Sequence, residues 1–483
     1  MESLSNFNSP ELDYNFKMNN HSSIVYRSIT PQGSSSITLG TTSGVVGPVE
    51  FIMPPAVFNP SKTKLNFQID LGAAFTGTTA GTTDVHRWVN ANLGTMLNRV
   101  VLYDSATSAI IADVSNFDRW SSMIAPAAER LDHFLGKQIP QSATALLPWT
   151  GNGSTALATA LANSLSYPSD NTSRSSTAAA SNFTGVTTNV VNGVDFTGRR
   201  MWYISPTTTN DKNTCYLSVS LNFEDLFRFT ALSLDKNIYN PANMVLQLYF
   251  NPNDAFQFAC ASAVDATTPV AVATGATISR LQVQLACEAN IGIIGQTIGL
   301  IMEKGVTVPV GYPTVTRQTF SATSNPSYQL QLTAGYGKRI LFLATSPFNL
   351  SGTTINLNQI HNAPRASLLQ YQTTLNSVPI KTPSGFDCTR GEDWSIGNQT
   401  YLTDSPLQNL DSYIKSDWVH IDSFFGEKPL SHVKQEDVDG IDVSTQSQTF
   451  GFQATTTSVA QTWITAIVGQ KMLSLTRTGA IIV

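Results

Sequence analysis

The chain has 483 residues, a net charge of −5 and only 13% charged residues against 41% apolar ones. That length exceeds one ordinary domain and suits two of roughly 200 residues each. The low charge, with no Lys/Arg-rich run, argues against a counterion-releasing nucleic-acid tail and leaves little charge to oppose close packing of like molecules.

Residues 1–45 are polar and carry only Glu2, Glu11, Asp13, Lys17 and Arg27 as charges. They read as an extended arm with little structure of its own. The acidic, polar start carries no secretion signal, so folding inside the cell of synthesis is expected. Regular structure is predicted from Val49, with a strand over 49–53 ended by Pro54 and Pro55. In residues 62–71, Leu65, Phe67, Ile69 and Leu71 share one face, the period of a half-buried antiparallel strand. Residues 98–103 (NRVVLY) and 109–114 read as a hairpin around a short turn. At Asn116, a candidate N-cap, the period changes. Phe117, Asp118, Arg119 and Trp120 lead into Met123, Ile124, Leu131 and Phe134, a spacing that suits one or two short helices.

Residues 141–198 are rich in Ser, Thr, Ala, Asn and Gly, with only Asp170, Arg174 and Asp195 charged. They far exceed an ordinary connection and read as an exposed insertion, with a disordered linker as the alternative. Strand patterns resume at 200–205, 216–221 and 244–250, with a short amphipathic helix over 223–232. One sandwich is expected to close near 258, followed by a linker over 261–277. The second half repeats the plan. Strands are expected at 278–286, 328–333, 338–345, 366–375, 440–455, 463–468, 471–475 and 480–483, with a helix over 290–304 and a loop at 402–413 in the place of the first half's helix-bearing loop. The expected fold is all-β: two eight-stranded jelly-roll β-sandwiches in tandem with short helices in the loops. The expected division is an arm 1–45, a first jelly roll 46–260, a linker 261–277 and a second jelly roll 278–483.

Cys215, Cys260, Cys287 and Cys388 form no CxxC pair and read as free, mostly buried thiols rather than a disulfide framework or a zinc site. The six histidines, His21, His86, His133, His361, His420 and His432, make no HxH or HExxH pair. The run His420-Ile421-Asp422 puts a base and an orienting carboxylate on one strand face. No nucleophile elbow accompanies it, so a structural role is favoured. Glu436, Asp437, Asp439 and Asp442 lack calcium-loop spacing and read as a solvated acidic loop. Gly292, Gly295 and Gly299 fall in a helical pattern with no Lys-Ser/Thr after them, unlike a phosphate cradle. No catalytic residue, cofactor site or metal site is therefore expected.

Four blocks together resemble the double jelly-roll major capsid proteins of adenovirus hexons, membrane-containing tailless phages, virophages and polinton-like viruses. The first block is NRVVLYDSATSAIIADVSNFDRWSSM at 98–123, with Arg99 and the Phe117-Asp118-Arg119-Trp120 helix start. The second is 223–250, with its Asp235-Lys236 turn. The third, 278–309, is similar to the opening strand and helix of a second jelly roll. The fourth is 440–483, ending in the K-x-L-x-L-x-x-x-G stretch from Lys471 to Gly479. The resemblance implies a non-enzymatic shell protein located in the virion capsid. It also implies a homotrimer forming a pseudo-hexagonal tile, with loop 141–198 outward and the arm near the base. Its implied partners are neighbouring capsomers, minor capsid and penton proteins and an internal membrane, without sequence-specific nucleic-acid binding. One rival reading is a carbohydrate-binding or carbohydrate-cleaving sandwich, which needs two carboxylates about 5–10 Å apart in a groove. The other is a minor virion spike or vertex protein.

Overall fold

The computed structural model describes residues 22–38, 45–70, 84–88, 93–128, 216–251, 258–262, 271–272, 277–348, 368–402, 418–435 and 439–483. Among the described residues, eight principal strands build a first sandwich, with two-residue strands added at its edges: β1 Ile24–Ile29, β2 Val46–Met53, β3 Lys64–Asp70, β4 Leu97–Asp104, β5 Ile110–Ser115, β6 Tyr216–Asn222, β7 Met244–Phe250 and β8 Thr277–Glu288. Eight more build a second, with Phe386–Asp387, Ile441–Asp442 and the last strand Gly479–Ile482 added at its edges: β9 Val306–Thr323, β10 Ser327–Leu332, β11 Arg339–Phe348, β12 Leu368–Leu375, β13 Val378–Pro379, β14 His420–Ser423, β15 Gln448–Thr456 and β16 Val459–Thr476.

The sheet orders show why these are jelly rolls. The first sandwich has sheets β1-β8-β3-β6 and β2-β7-β4-β5. The second has β9-β16-β11-β14 and β10-β15-β12-β13. In both, the first strand pairs the eighth, the second the seventh, the third the sixth and the fourth the fifth, all antiparallel. This is a long hairpin of paired strands rolled into two facing sheets.

Alternation buries one face of each strand. In β3, Leu65 and Phe67 are buried while Lys64, Asn66 and Gln68 are half-exposed. In β8 the period slips once. Ile278 is buried, then Leu281, Val283 and Leu285, because a bulge lies between Ser279 and Gln282 and Arg280 sits there at φ 52°. Strand β11 differs, since Ile340, Leu341, Phe342, Leu343 and Ala344 are all fully buried. It is covered on both faces, which fits a continuous apolar run. Part of the cover comes from helix α1 (Phe117–Ala128), which also packs against β9. The buried apolar residues of both sandwiches form one continuous cluster.

Several expectations change. The arm is not free of structure: β1 and the short strand Ile37–Thr38 pair with β8. The strand expected to open the second jelly roll is β8, which instead closes the first by pairing with β3 and β1. The second sandwich begins with β9, and helix α2 (Ile291–Lys304) connects the two. Within the expected linker 261–277, Ala271–Val272 pairs with Phe258–Ser262, which pairs with Asp84–Trp88. The two closing strands expected at 463–468 and 471–475 are one strand, β16, which pairs β9 along nearly its whole length. The helix expected over 223–232 is only a turn, Phe223–Leu226, followed by a 3-10 turn at Ala231–Ser233. Phe229 breaks it with φ 56°. The insertion 141–198, the strand at 200–205 and the loop at 403–413 lie outside the described residues. In the second half, helical turns occupy 393–402, between β13 and β14. Helix α1 occupies the same topological interval, between β5 and β6.

Candidate functional site

The residues singled out by sequence gather mostly at the seam between the sandwiches. Phe117 and Trp120, at the start of α1, are fully buried. Asn116 turns the chain into this helix at φ 52°, and its carbonyl accepts from the Arg119 and Trp120 amides at 3.0 and 3.1 Å. From there a run of aromatic contacts crosses between the sandwiches. Phe117 meets Phe227 at 5.6 Å between ring centroids, and Trp120 meets Phe229 edge-on at 6.3 Å. Phe229 meets Phe342 of β11 at 5.1 Å, and Phe342 meets Phe425 at 5.8 Å. Each such pair adds about 0.5–1.5 kcal/mol beyond its burial.

Asp118 and Arg119 lie 3.7 Å apart. Burial pushes the Asp118 carboxyl up, against the pull of Arg119, and pushes the Arg119 guanidinium down. Arg99 forms a cross-strand ion pair with Asp113, Nη2 to Oδ2 at 2.6 Å and Nε to Oδ1 at 2.7 Å, and lies over the Tyr249 ring. Burial also raises the Tyr312 hydroxyl, and Asp113 adds to the shift against Arg99. The first sandwich's ion pair therefore acts on a β9 side chain. Lys471 of β16 covers the same Tyr312 ring at 3.6 Å. Gly479 has φ 133°, and a Cβ there would lie 2.9 Å from Asp104 Oδ1.

Asp235 and Lys236 stand apart from this group. Asp235 accepts from Asn59 Nδ2 and Ser61 Oγ, both at 3.1 Å. Lys236 is exposed and borders a recess beside α2.

Sequence reading missed the polar residues that stitch the seam. Gln435 accepts from the Gly311 amide through Oε1 at 2.7 Å and donates from Nε2 to the Thr230 carbonyl at 3.0 Å. Asp104 accepts from the amides of Ala106, Thr107 and Ala480 at 2.9, 2.7 and 3.2 Å. Thr107 Oγ1 donates to the Ala480 carbonyl at 2.8 Å. No sequence period marks single polar residues of this kind. A Cβ on Gly311 would overlap the Phe229 carbonyl. Gly311→Ala is therefore expected to destabilise the protein by about 1–3 kcal/mol through overpacking. Thermal denaturation reads this, and an unchanged midpoint would show that the seam yields freely.

The His420–Asp422 pair expected on one strand face is present, Nε2 to Oδ1 at 3.1 Å, with both side chains fully buried. His420 Nδ1 meets the Tyr371 hydroxyl at 2.8 Å. Asp422 Oδ1 also accepts from Thr373 Oγ1 at 3.0 Å. Lys381 donates to the carbonyls of Ile421, at 2.8 Å, and Gly397. Burial lowers its ammonium to about 8 and holds the His420 imidazole below its usual range. Burial pushes the Asp422 carboxyl up, but His420, Lys381 and the hydrogen bond from Thr373 hold it lower. A pair so enclosed orients strands and presents nothing to a dissolved substrate. Of the acidic loop, Asp439 pairs with Arg339, and Asp442 accepts from the Ser444 amide and hydroxyl at 2.8 and 2.6 Å. Glu436 and Asp437 lie outside the described residues. Cys287 is a free thiol.

No family model matches the chain, and no curated protein matches it in sequence. Solved structures do match its fold. The mavirus major capsid protein superposes with a TM-score of 0.53 at 10% identity, covering 95% of this chain and 90% of that one. The PBCV-1 protein VP54, fitted into a reconstruction of the virophage Sputnik, matches with a TM-score of 0.50 at 10% identity over 96% of this chain and 97% of its own. A chain of the Sputnik virophage structure matches with a TM-score of 0.50 at 12% identity over 98% and 92%. By fold, this chain is a double jelly-roll protein with the architecture of these viral major capsid proteins.

Proposed function

We propose that the chain is the major capsid protein of an icosahedral virus and assembles as pseudo-hexagonal homotrimers that tile the shell. The observation that carries the reading is the pair of identically wired jelly rolls joined by one buried seam, an architecture matched end to end by capsid proteins. Three such chains supply six sandwiches, enough for a six-sided tile. A rigid seam suits this role, because a tile must hold its two sandwiches at one angle. The enclosed His420–Asp422 pair fits a structural rather than an enzymatic chain. Its partners are further copies of itself, minor capsid and penton proteins and an internal membrane, and its place is the virion.

Light scattering after size exclusion tests this. A solution mass of three chains is expected, with shells or hexagonal tiles visible by electron microscopy at high concentration. A stable monomer at every concentration would overturn the trimer.

A further inference from the structure

Helix α2 has the sequence IGIIGQTIGLIMEK, yet Ile301 is its only buried residue. Ile291 is 84% exposed and Leu300 50% exposed. Ile293, Ile294, Ile298 and Met302 are only half-buried. A helix apolar around most of its girth belongs under cover. Gly295 and Gly299, one turn apart, have nothing among the described residues within 4 Å of where a side chain would begin, so another backbone can approach closely. On the Leu300 side the helix borders a recess of about 280 Å³, shared with Lys236, Ile238, Val308 and Leu475.

The chain itself offers an occupant. The residues just before β1 are fastened beside the start of α2. Ser22 Oγ donates to Glu288 Oε2 at 2.6 Å, the Ser23 amide to Glu288 Oε1 at 2.9 Å, and the Ala289 amide to the Ser23 carbonyl at 2.7 Å. Asn290, the next residue, caps α2. Residues 1–21 are thus tethered at the N-terminal end of this helix. They contain Leu4, Phe7, Leu12, Tyr14, Phe16 and Met18, and Glu2, Glu11 and Asp13 against the single Lys17. Lys236 at the recess and Lys304 at the helix end are exposed, each beside an exposed carboxylate, Asp235 and Glu303, so it is the tether and the apolar residues that point to this occupant. Reach is no obstacle: such a segment spans up to ~70 Å when extended, whereas α2 is about 21 Å long.

We propose that residues 1–21 dock along the exposed apolar face of α2, with apolar side chains in the recess beside Leu300. This contact lies within one chain and does not depend on the capsid reading.

Hydrogen exchange on the purified protein tests it, with and without residues 2–21. Deletion is expected to speed exchange of the α2 amides at 295–302 at least tenfold and to leave the β11 and β16 amides unchanged. A second variant, Gly295→Leu with Gly299→Leu, fills the open face. It is expected to speed proteolysis within 1–21 in the full chain, and to leave the thermal midpoint of the shortened chain level or raised, since leucine favours helix over glycine. Equal α2 exchange with and without residues 2–21 would overturn the proposal. Protection that survives deletion and grows with protein concentration would assign the face to a second copy. Protection that appears only with anionic lipid vesicles would assign it to a membrane. Either result would overturn docking of residues 1–21.

Discussion

Asp422→Ala is expected to destabilise the second sandwich by about 3–5 kcal/mol, because it removes the buried carboxylate that offsets the buried Lys381 ammonium and leaves that charge uncompensated. The carboxylate is fully enclosed. Its Oδ1 accepts from His420 and Thr373, while Oδ2 is buried with no hydrogen-bond partner among the described residues. That arrangement has little slack. The same change strands Lys381, whose ammonium is held in place by the Ile421 and Gly397 carbonyls and lies over the Tyr401 ring. Asp422→Asn keeps an acceptor at the Oδ1 position but removes the charge and puts an amide donor at the Oδ2 position, so it should fall between Ala and the native residue. Urea denaturation, followed by the environment of the buried Trp418 and Trp463, reads the transition. A loss under about 1 kcal/mol for the alanine variant would mean that the carboxyl is protonated in the folded state and carries no ionic weight.

Glu288→Gln should remove an acid-sensitive share of stability. Burial works against the Glu288 charge, but hydrogen bonds from Ser22, the Asn290 and Ser23 amides and Asn237 outweigh it and hold the carboxyl down to about 2. In the unfolded chain the group returns to about 4.5. A carboxyl with a depressed folded value stabilises fully above its unfolded value, and that contribution is lost as pH falls from about 4.5 toward 2. The interval corresponds to roughly 3 kcal/mol. The native chain should lose stability steeply between about pH 5 and 2, and Glu288→Gln should be less stable at pH 7 with a flatter acid limb. Parallel limbs for the two proteins would sink this assignment. The same variant should loosen residues 22–23 and β1 first, which hydrogen exchange would show as faster amides on that strand alone.

The strands were legible wherever one face meets the core, as in β3 and β7, because alternation reports burial directly. Alternation says which face is buried but not which sheet a strand joins. This is why β8 was placed at the head of the wrong sandwich. Strand β1 left no pattern. Val25, Tyr26, Arg27 and Ser28 are all exposed, and only its backbone pairing with β8 makes it a strand. Strand β16 read as two because Gly469 and Gln470 interrupt its apolar run, although Gly469 is the residue that lets the Tyr336 carbonyl approach. At the seam, the aromatic start of α1 was visible as a change of period. The φ of Phe229 and the reach of Gln435 were not, because they depend on residues far apart in the chain. The His420–Asp422 pair followed from a period of two. Its setting did not, since Tyr371 and Thr373 come from β12 and Lys381 from the turn after β13.

The wiring has a consequence for how such a chain can grow. In each sandwich the first residue of the first strand lies across from the end of the last: Ile24 faces Glu288, and Val306 faces Leu475. Paired strands are about 4.8 Å apart, so each module starts and finishes at nearly one point on its rim. A module built this way can be added to a chain, or doubled within it, without stretching what precedes or follows. Only a short connector is then required, and α2 is one.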